Sequence, residues 1–243
     1  MIDALLVAAV FVIAGLIKGA VGVGLPTVVV GLLSIAMPPA QAAQLMVLPA
    51  LATNLWQMTA GPALGPLLKR LGGFIVAVFL GTFATIGFMT TSALASAVLG
   101  AVLAAYGGYA LWGRRFQVEA RAERWLSPLV GLLAGMLSGA TGVFVIPTMP
   151  YLTSLRMNAE ELVQAVGIVA FVCPLALGLA LAMRGQYPAA MAGASFLALF
   201  PALAAMYFGM RVRRRLPAAT FMRWFFIAMI ALGGYMFFRG AFR

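Results

Sequence analysis

Ala14-Gly15-Leu16-Ile17-Lys18-Gly19-Ala20-Val21-Gly22-Val23 and Ala134-Gly135-Met136-Leu137-Ser138-Gly139-Ala140-Thr141-Gly142-Val143 read as one stretch of chain used twice. Six of the ten positions are identical at a spacing of 120 residues. A proline follows each copy, Pro26 before Thr27 and Pro147 before Thr148, with one extra residue in the second. Gln44 and Gln164 keep the same spacing. A chain with 27 glycines produces some matches by chance, but three glycines at shared spacing plus a proline favour a repeat. Each copy is a glycine-rich turn between short apolar runs, at 2–17 and 21–37 in the first half and at 126–140 and 143–155 in the second. The longer runs at 40–64, 72–91, 93–112, 163–183, 189–210 and 221–238 approach or exceed the roughly 20 apolar residues that a spanning helix needs. The expected unit is therefore a short helical hairpin with a glycine-rich turn plus three full transmembrane helices. Residues 1–113 form the first membrane repeat, 114–124 a cytoplasmic basic linker, and 125–243 the second membrane repeat.

Composition leaves few other classes. The chain has 243 residues, 64% of them hydrophobic and 9% charged, with mean hydropathy +1.07. Soluble domains carry about 25% charged residues. A soluble enzyme, a secreted disulfide domain and a disordered chain are excluded, and an all-α polytopic membrane protein is expected. The net charge of +11 would point to nucleic acid in a soluble protein. Here the basic residues fill short gaps between apolar runs, as in cytoplasmic loops. The expected surroundings are the lipid bilayer, with no nucleic acid. Cys173 is the only cysteine, histidine is absent, and the acids are Asp3, Glu119, Glu123, Glu160 and Glu161. A histidine-containing metal site or a Ser-His catalytic site cannot be built, so no catalytic residue, metal or cofactor is assigned. The start, Met1-Ile2-Asp3, lacks the basic n-region of a signal peptide, so the first apolar run is expected to be retained.

Charge gives an orientation. If each short pair returns to the side it entered from, five segments per half set the halves in opposite orientations. With both termini outside, twelve cationic residues lie on the cytoplasmic side, among them Lys69, Arg70, Arg114, Arg115 and the cluster at 211–215. Arg184, Arg239 and Arg243 lie outside, with Lys18 set aside. Treating each pair as one bent span gives nine against six and exports the cluster. The positive-inside rule prefers the inverted arrangement.

Irregular backbone at membrane depth survives only where it is buried in protein or lines a wet cavity. In transporters with inverted repeats, half-helix N-termini at such breaks bind anionic groups. Pro26 and Pro147 suit the first turn of the following helix, where a missing N–H costs nothing. The free N–H groups at Thr27 and Thr148 would then face an anion. A plainer reading is that Gly15/Gly19 and Gly135/Gly139 pack helices closely, and the two roles are compatible.

Lys18 stands alone as an intramembrane cation, opposite the neutral Ser138 of the second copy. An unpaired charge there is costly and points to function. The alternative is a lysine that snorkels from the end of a short helix. Gln41, Gln44, Thr53, Asn54 and Gln57 interrupt the third apolar run. Such amides often only join helices, but the doubled position ranks Gln44 and Gln164 above Gln57 as site candidates. The candidate binding set is Lys18, Gly19, Gly22, Gly24, Thr27, Gln44, Asn54, Ser138, Gly139, Thr141, Gly142, Thr148 and Gln164. Trp56, Trp112, Trp125 and Trp224 are read as interface markers.

Gly15-x3-Gly19-x2-Gly22-x-Gly24-x-Pro26, then Met37-Pro38-Pro39-Ala40, with a second glycine-proline copy after a basic linker, resembles the sulfite exporter TauE/SafE family. The resemblance covers nearly the whole chain. It implies a multi-pass transporter of the bacterial inner membrane, moving a small sulfur-containing anion such as sulfite or an organosulfonate, or a related carboxylate. The glycine run after Gly22 keeps only Gly24, and Phe144 stands at the corresponding place in the second half. Export of an anion needs no coupling ion, since one negative charge leaving an inside-negative cell gains about 2.3 kcal/mol per 100 mV. The other classes weighed are a structural or assembly subunit and an intramembrane enzyme. The first has no need of two broken hairpins and an intramembrane lysine, and the second lacks a nucleophile–base pair. Oligomeric state stays open, a homodimer included.

Overall fold

The computed structural model describes residues 4–91, 94–112, 117–212 and 218–241. Every regular element among them is helical: α1 (Ala4–Val21), α2 (Leu25–Leu33), α3 (Pro39–Thr59), α4 (Leu64–Arg70), α5 (Gly72–Thr91), α6 (Ala95–Trp112), α7 (Ala120–Thr141), α8 (Val145–Ser154), α9 (Ala159–Met183), α10 (Ala189–Val212) and α11 (Ala218–Ala241). Five of these are both long and apolar enough to cross a bilayer: α1, α5, α6, α9 and α10. At 21 residues α3 is also long enough, but its glutamines, Thr53 and Asn54 lower its hydropathy. They can do so because the protein interior receives most of them.

The hairpins have unequal arms. The first arm runs 18 residues in α1 and 22 in α7, the second only nine in α2 and ten in α8. The apolar runs understate the first arms because helix continues through polar residues: α1 passes Lys18, and α7 starts at Ala120 inside the basic linker. The first turn places Gly22 and Gly24 in the left-handed region, at φ 89° and 107°. The second needs only Gly142 there, at 76°, while Phe144 sits at −123° and α8 starts one residue later, at Val145. The two turns are equally long, residues 22–24 and 142–144, and the extra residue of the second copy falls inside the first turn of α8, before Pro147. Pro26 and Pro147 both fall in the first turn of the short helix, as expected.

Glycine contacts set the helix pairing. A Cβ on Gly15 would meet the Ala202 carbonyl at 2.4 Å, and one on Gly19 the Met206 carbonyl at 2.1 Å, so α1 and α10 run parallel in backbone contact. Gly131 against Phe74 and Gly135 against Val78 pair α7 with α5 in the same sense. By contrast, α6 and α11 are antiparallel, with Gly107 against Phe226 and Gly100 against Phe237. So are α3 and α9, with Gly167 against Met58 and Gly178 against Val47. Small residues at these crossings fit association in lipid, where close van der Waals contact replaces the hydrophobic drive. Exchanging α1, α3, α5 and α6 with α7, α9, α10 and α11 maps this set of pairings onto itself. The span of α9 is central, 72% buried, whereas that of α10 is 28% buried and exposes Leu197, Phe200 and Phe208.

The two ends of the bundle are closed by different bonds. At one end, here the linker end, Arg70 pairs with Glu123 at 2.6 Å and Val118 N–H donates to Ser154 at 3.0 Å. The Glu123 hydrogen bond raises the Arg70 guanidinium further above its usual range. An Asn158–Glu161 capping box starts α9 at the same end. Exposed Trp56, Trp112 and Trp125 sit on the closing or opening turns of α3, α6 and α7, in keeping with an interfacial belt there. At the far end Arg239 donates to the Ile35 carbonyl at 3.1 Å. Arg114, Arg115, Arg213, Arg214, Arg215 and Arg243, counted in the charge argument, lie outside the described residues.

Candidate functional site

Lys18 lies in the last turn of α1 and is 4% exposed. Its ammonium donates to Asn54 Oδ1 and, at 3.5 Å, to Gln57 Oε1. The lysine is therefore partnered, which corrects the expectation of an unpaired cation. Its partners are neutral, so its charge is not cancelled. The Arg70–Glu123 bridge is the ion pair among the described residues, and neither of its members bonds to Lys18.

The orientation of Asn54 comes from two backbone carbonyls. Its Nδ2 donates to Ala50 at 2.7 Å and to Ala170 at 2.9 Å. Ala170 can accept because Pro174, four residues on in α9, has no N–H to take that carbonyl. Gln57 is held in the same way, its Nε2 donating to Val163 at 3.1 Å. With both amide nitrogens engaged by α9 or by α3 itself, the two side-chain oxygens are left facing the ammonium. Two acceptors and no donor facing Nζ suit a cation.

This cluster forms part of the wall of a cavity of about 630 Å³. Lys18, Gly19, Gly22, Thr53 and Gln57 line it, with Trp56, Tyr106, Tyr109, Met149, Met206 and Phe226 among its apolar and aromatic members. It extends toward the linker end, reaching Ala60 after α3, Ala110 in the last turn of α6 and Leu162 in the first turn of α9. Among the described residues its lining contains no carboxylate.

The remaining candidates are spread more widely. Gly19 borders the cavity but is also a contact with α10, as the packing reading expected. Gly22 has open space where a Cβ would be. Gly24 and Thr27 are buried behind the lining, and the Thr27 hydroxyl has no partner. Ser138, Gly139, Thr141, Gly142 and Thr148 are buried away from the cavity. There the Gly139 position faces the Thr82 carbonyl, Gly142 packs on Val30 and Ala43, and the Thr141 and Thr148 hydroxyls bond to Leu137 and Phe144.

Gln44 and Gln164 hold loops. Gln164 donates to the carbonyls of Met58 and Gly61 at 2.8 and 2.7 Å and accepts from Ala63 N–H at 2.9 Å, fastening the α3–α4 link. Gln44 donates to Gln186 at 2.6 Å, fastening the α9–α10 link at the other end. Each repeated glutamine thus secures the loop that follows the other half's long helix. Gln57, ranked below them from sequence, reaches Lys18 instead. Its spacing of three residues from Asn54 puts the two on one face of α3, but nothing local in the sequence turns that face to Lys18.

No curated protein and no solved structure matches the chain. The profile of the sulfite exporter TauE/SafE family matches residues 7–236 of the 243. With that match spanning almost the entire helical bundle, the chain belongs to the sulfite exporter TauE/SafE family, a family of membrane transporters.

Proposed function

We propose that this protein exports a small anion, of the class of sulfite, organosulfonates and related carboxylates, across a bacterial inner membrane, and that Lys18 is the charge that binds it. One observation carries the reading: a buried ammonium, fixed by two amide oxygens, on the wall of a cavity whose described lining has no acid to neutralise it. A substrate anion supplies the missing charge. Gly19 and Gly22 let it approach the backbone beside Lys18, and the start of α2 behind them favours negative charge.

The halves act as inverted repeats, residues 1–113 and 125–243 about the 114–124 linker. The antiparallel α3·α9 and α6·α11 pairs and the parallel α1·α10 and α7·α5 pairs support this, because a two-fold axis in the membrane plane requires both. The cavity toward the linker end is then the cytoplasmic entrance. The second turn, with Ser138, Gly139, Thr141, Gly142 and Thr148, takes the equivalent part when the opposite end opens. Export runs down the membrane potential, and the amide partners of Lys18 hold a charge in place, which supports the transport reading.

Proteoliposomes loaded with sulfite, methanesulfonate, benzenesulfonate or acetate test this reading. Efflux of at least one anion, accelerated by an inside-negative potential, is expected. Liposomes that leak none of them faster than empty vesicles overturn it.

A further inference from the structure

A second cavity, of about 560 Å³, lies at the far end of the bundle, where the ends of α2, α5 and α11 meet the starts of α3 and α6. We propose that it holds the phosphate of an acidic phospholipid from the leaflet at that end, with Arg239 as the charge that binds it.

Arg239 stands in the last turn of α11 and commits only one nitrogen. Its Nη1 donates to the Ile35 carbonyl at 3.1 Å and to the Tyr235 hydroxyl at 3.4 Å. Nε and Nη2 have no partner among the described residues. These are the two atoms by which Arg70 grips both oxygens of Glu123, and the same fork matches two oxygens of a phosphate. No carboxylate competes for it. The described lining contains none, and Glu119, Glu123, Glu160 and Glu161 stand at the opposite end, around the starts of α7 and α9.

Other donors border the same space. The Ser34 hydroxyl on its wall is buried and bonds to nothing. Ala95 and Ser96 line it from the first turn of α6, where the first intrahelical bond runs from Val98 N–H to the Leu94 carbonyl. The N–H groups of Ala95 and Ser96 precede that bond and have no acceptor within the helix, and the helix start favours an anion. A Cβ on Gly240 would stand 2.6 Å from the Ala97 nitrogen, so α11 ends in backbone contact with α6. That crossing sets Arg239 beside the start of α6.

The surroundings favour an amphipathic ligand over a free ion. Helix ends make up the walls, which puts the cavity at headgroup depth. Phe238, next to Arg239 in sequence, and Tyr235, one turn before it, are 61% and 52% exposed. An apolar face of α11 therefore leads away from the cavity along the bilayer. A phospholipid lays its chains on that face, whereas a free anion leaves it unused. The lining offers no described carboxylate to a choline or ethanolamine ammonium, which favours a headgroup without one.

Hydrogen exchange of the whole protein tests this in phosphatidylcholine nanodiscs, in the same nanodiscs with added inorganic phosphate, and in nanodiscs that also contain phosphatidylglycerol. Amides at 34–36 and 95–97 are expected to exchange at least about threefold more slowly with phosphatidylglycerol than in either other setting, while Ala63 at the linker end stays unchanged. Arg239→Gln should remove that slowing. Ser96→Asp should remove it too, by placing a carboxylate in the cavity, and an acid in the first turn of α6 favours the helix. It decides the matter where Arg239→Gln does not fold. Equal slowing by inorganic phosphate would make the cavity a small-anion site and overturn the lipid assignment. No slowing with phosphatidylglycerol, or slowing that survives in a folded variant, also overturns it.

Discussion

Asn54 and Pro174 are joined through a single carbonyl: the proline leaves the Ala170 oxygen without its helical donor, and the Asn54 amide takes it at 2.9 Å. The break in α9 therefore aims the Asn54 oxygen at Lys18. Pro174→Ala restores a competing N–H donor within α9. The variant is expected to be as stable as the parent or more so, since an interior proline costs a helix about 3 kcal/mol. Its anion affinity should nonetheless fall several-fold as Asn54 loosens. Unchanged affinity in a calorimetric titration would show that Asn54 is not held by that carbonyl.

Asn54→Asp puts a carboxylate where the amide oxygen now faces Lys18. The new ion pair should cancel the charge offered to a substrate, removing anion binding by tenfold or more while the protein still folds. Thermal unfolding and anion titration on the same sample read the two effects. Anion binding at parental strength would mean that the ammonium is not what the ligand meets.

Gly19 and Gly65 make opposite predictions for one substitution. A Cβ at Gly19 would stand 2.1 Å from the Met206 carbonyl, and α1 and α10 would have to separate. Gly65 has nothing within 4 Å. Gly19→Ala should therefore lower the melting temperature or abolish folded expression, with a cost of about 1–3 kcal/mol from overpacking. Gly65→Ala should change it little. Equal tolerance of both would contradict the close α1–α10 crossing.

Much of this arrangement could be read from residue order alone, and the limits have physical causes. The doubled glycine turns and the placing of one lysine among apolar residues are local features of spacing and hydropathy, whereas the runs 21–37 and 143–155 overstate second arms of nine and ten residues. The partners of Lys18 are not local. Asn54 lies 36 residues away and its orienting carbonyl a further 116, so periodicity within a helix carries no trace of that pairing. Repetition misled for Gln44 and Gln164, because a repeated polar residue can be repeated for a repeated loop. The apolar runs understate the first arms because Lys18 and the polar start of α7 interrupt the hydropathy without ending the helix. Inside a bundle a polar residue with partners does not end a helix.

Gln164→Leu removes three hydrogen bonds from the α3–α4 link. Amide hydrogen exchange at Ala63 should quicken by tenfold or more, because that N–H is held by the Gln164 side chain. Anion affinity should stay within about twofold of the parent, which separates a loop fastener from a ligand-binding amide. A large loss of affinity with unchanged exchange would restore Gln164 to the binding site.

The inverted orientation is tested by single cysteines in a Cys173→Ala background, Lys69→Cys at the linker end and Arg239→Cys at the other. A membrane-impermeant thiol reagent added to intact cells should modify position 239 and spare 69 until the membrane is opened. Modification of 69 with protection of 239 would reverse the assigned sides and the direction of transport argued from them.

The most direct measurement compares Lys18→Met with the parent by titrating benzenesulfonate and sulfite into folded, nanodisc-held protein. Met keeps much of the length and removes the charge, and a desolvated, charge-assisted hydrogen bond is worth about 1.5–3 kcal/mol. Affinity for both anions should fall by roughly ten- to a hundredfold, with Lys18→Arg intermediate because its reach and geometry differ. A folded Lys18→Met protein that binds both anions at parental affinity would show that Lys18 is a structural residue and that the anion is held elsewhere.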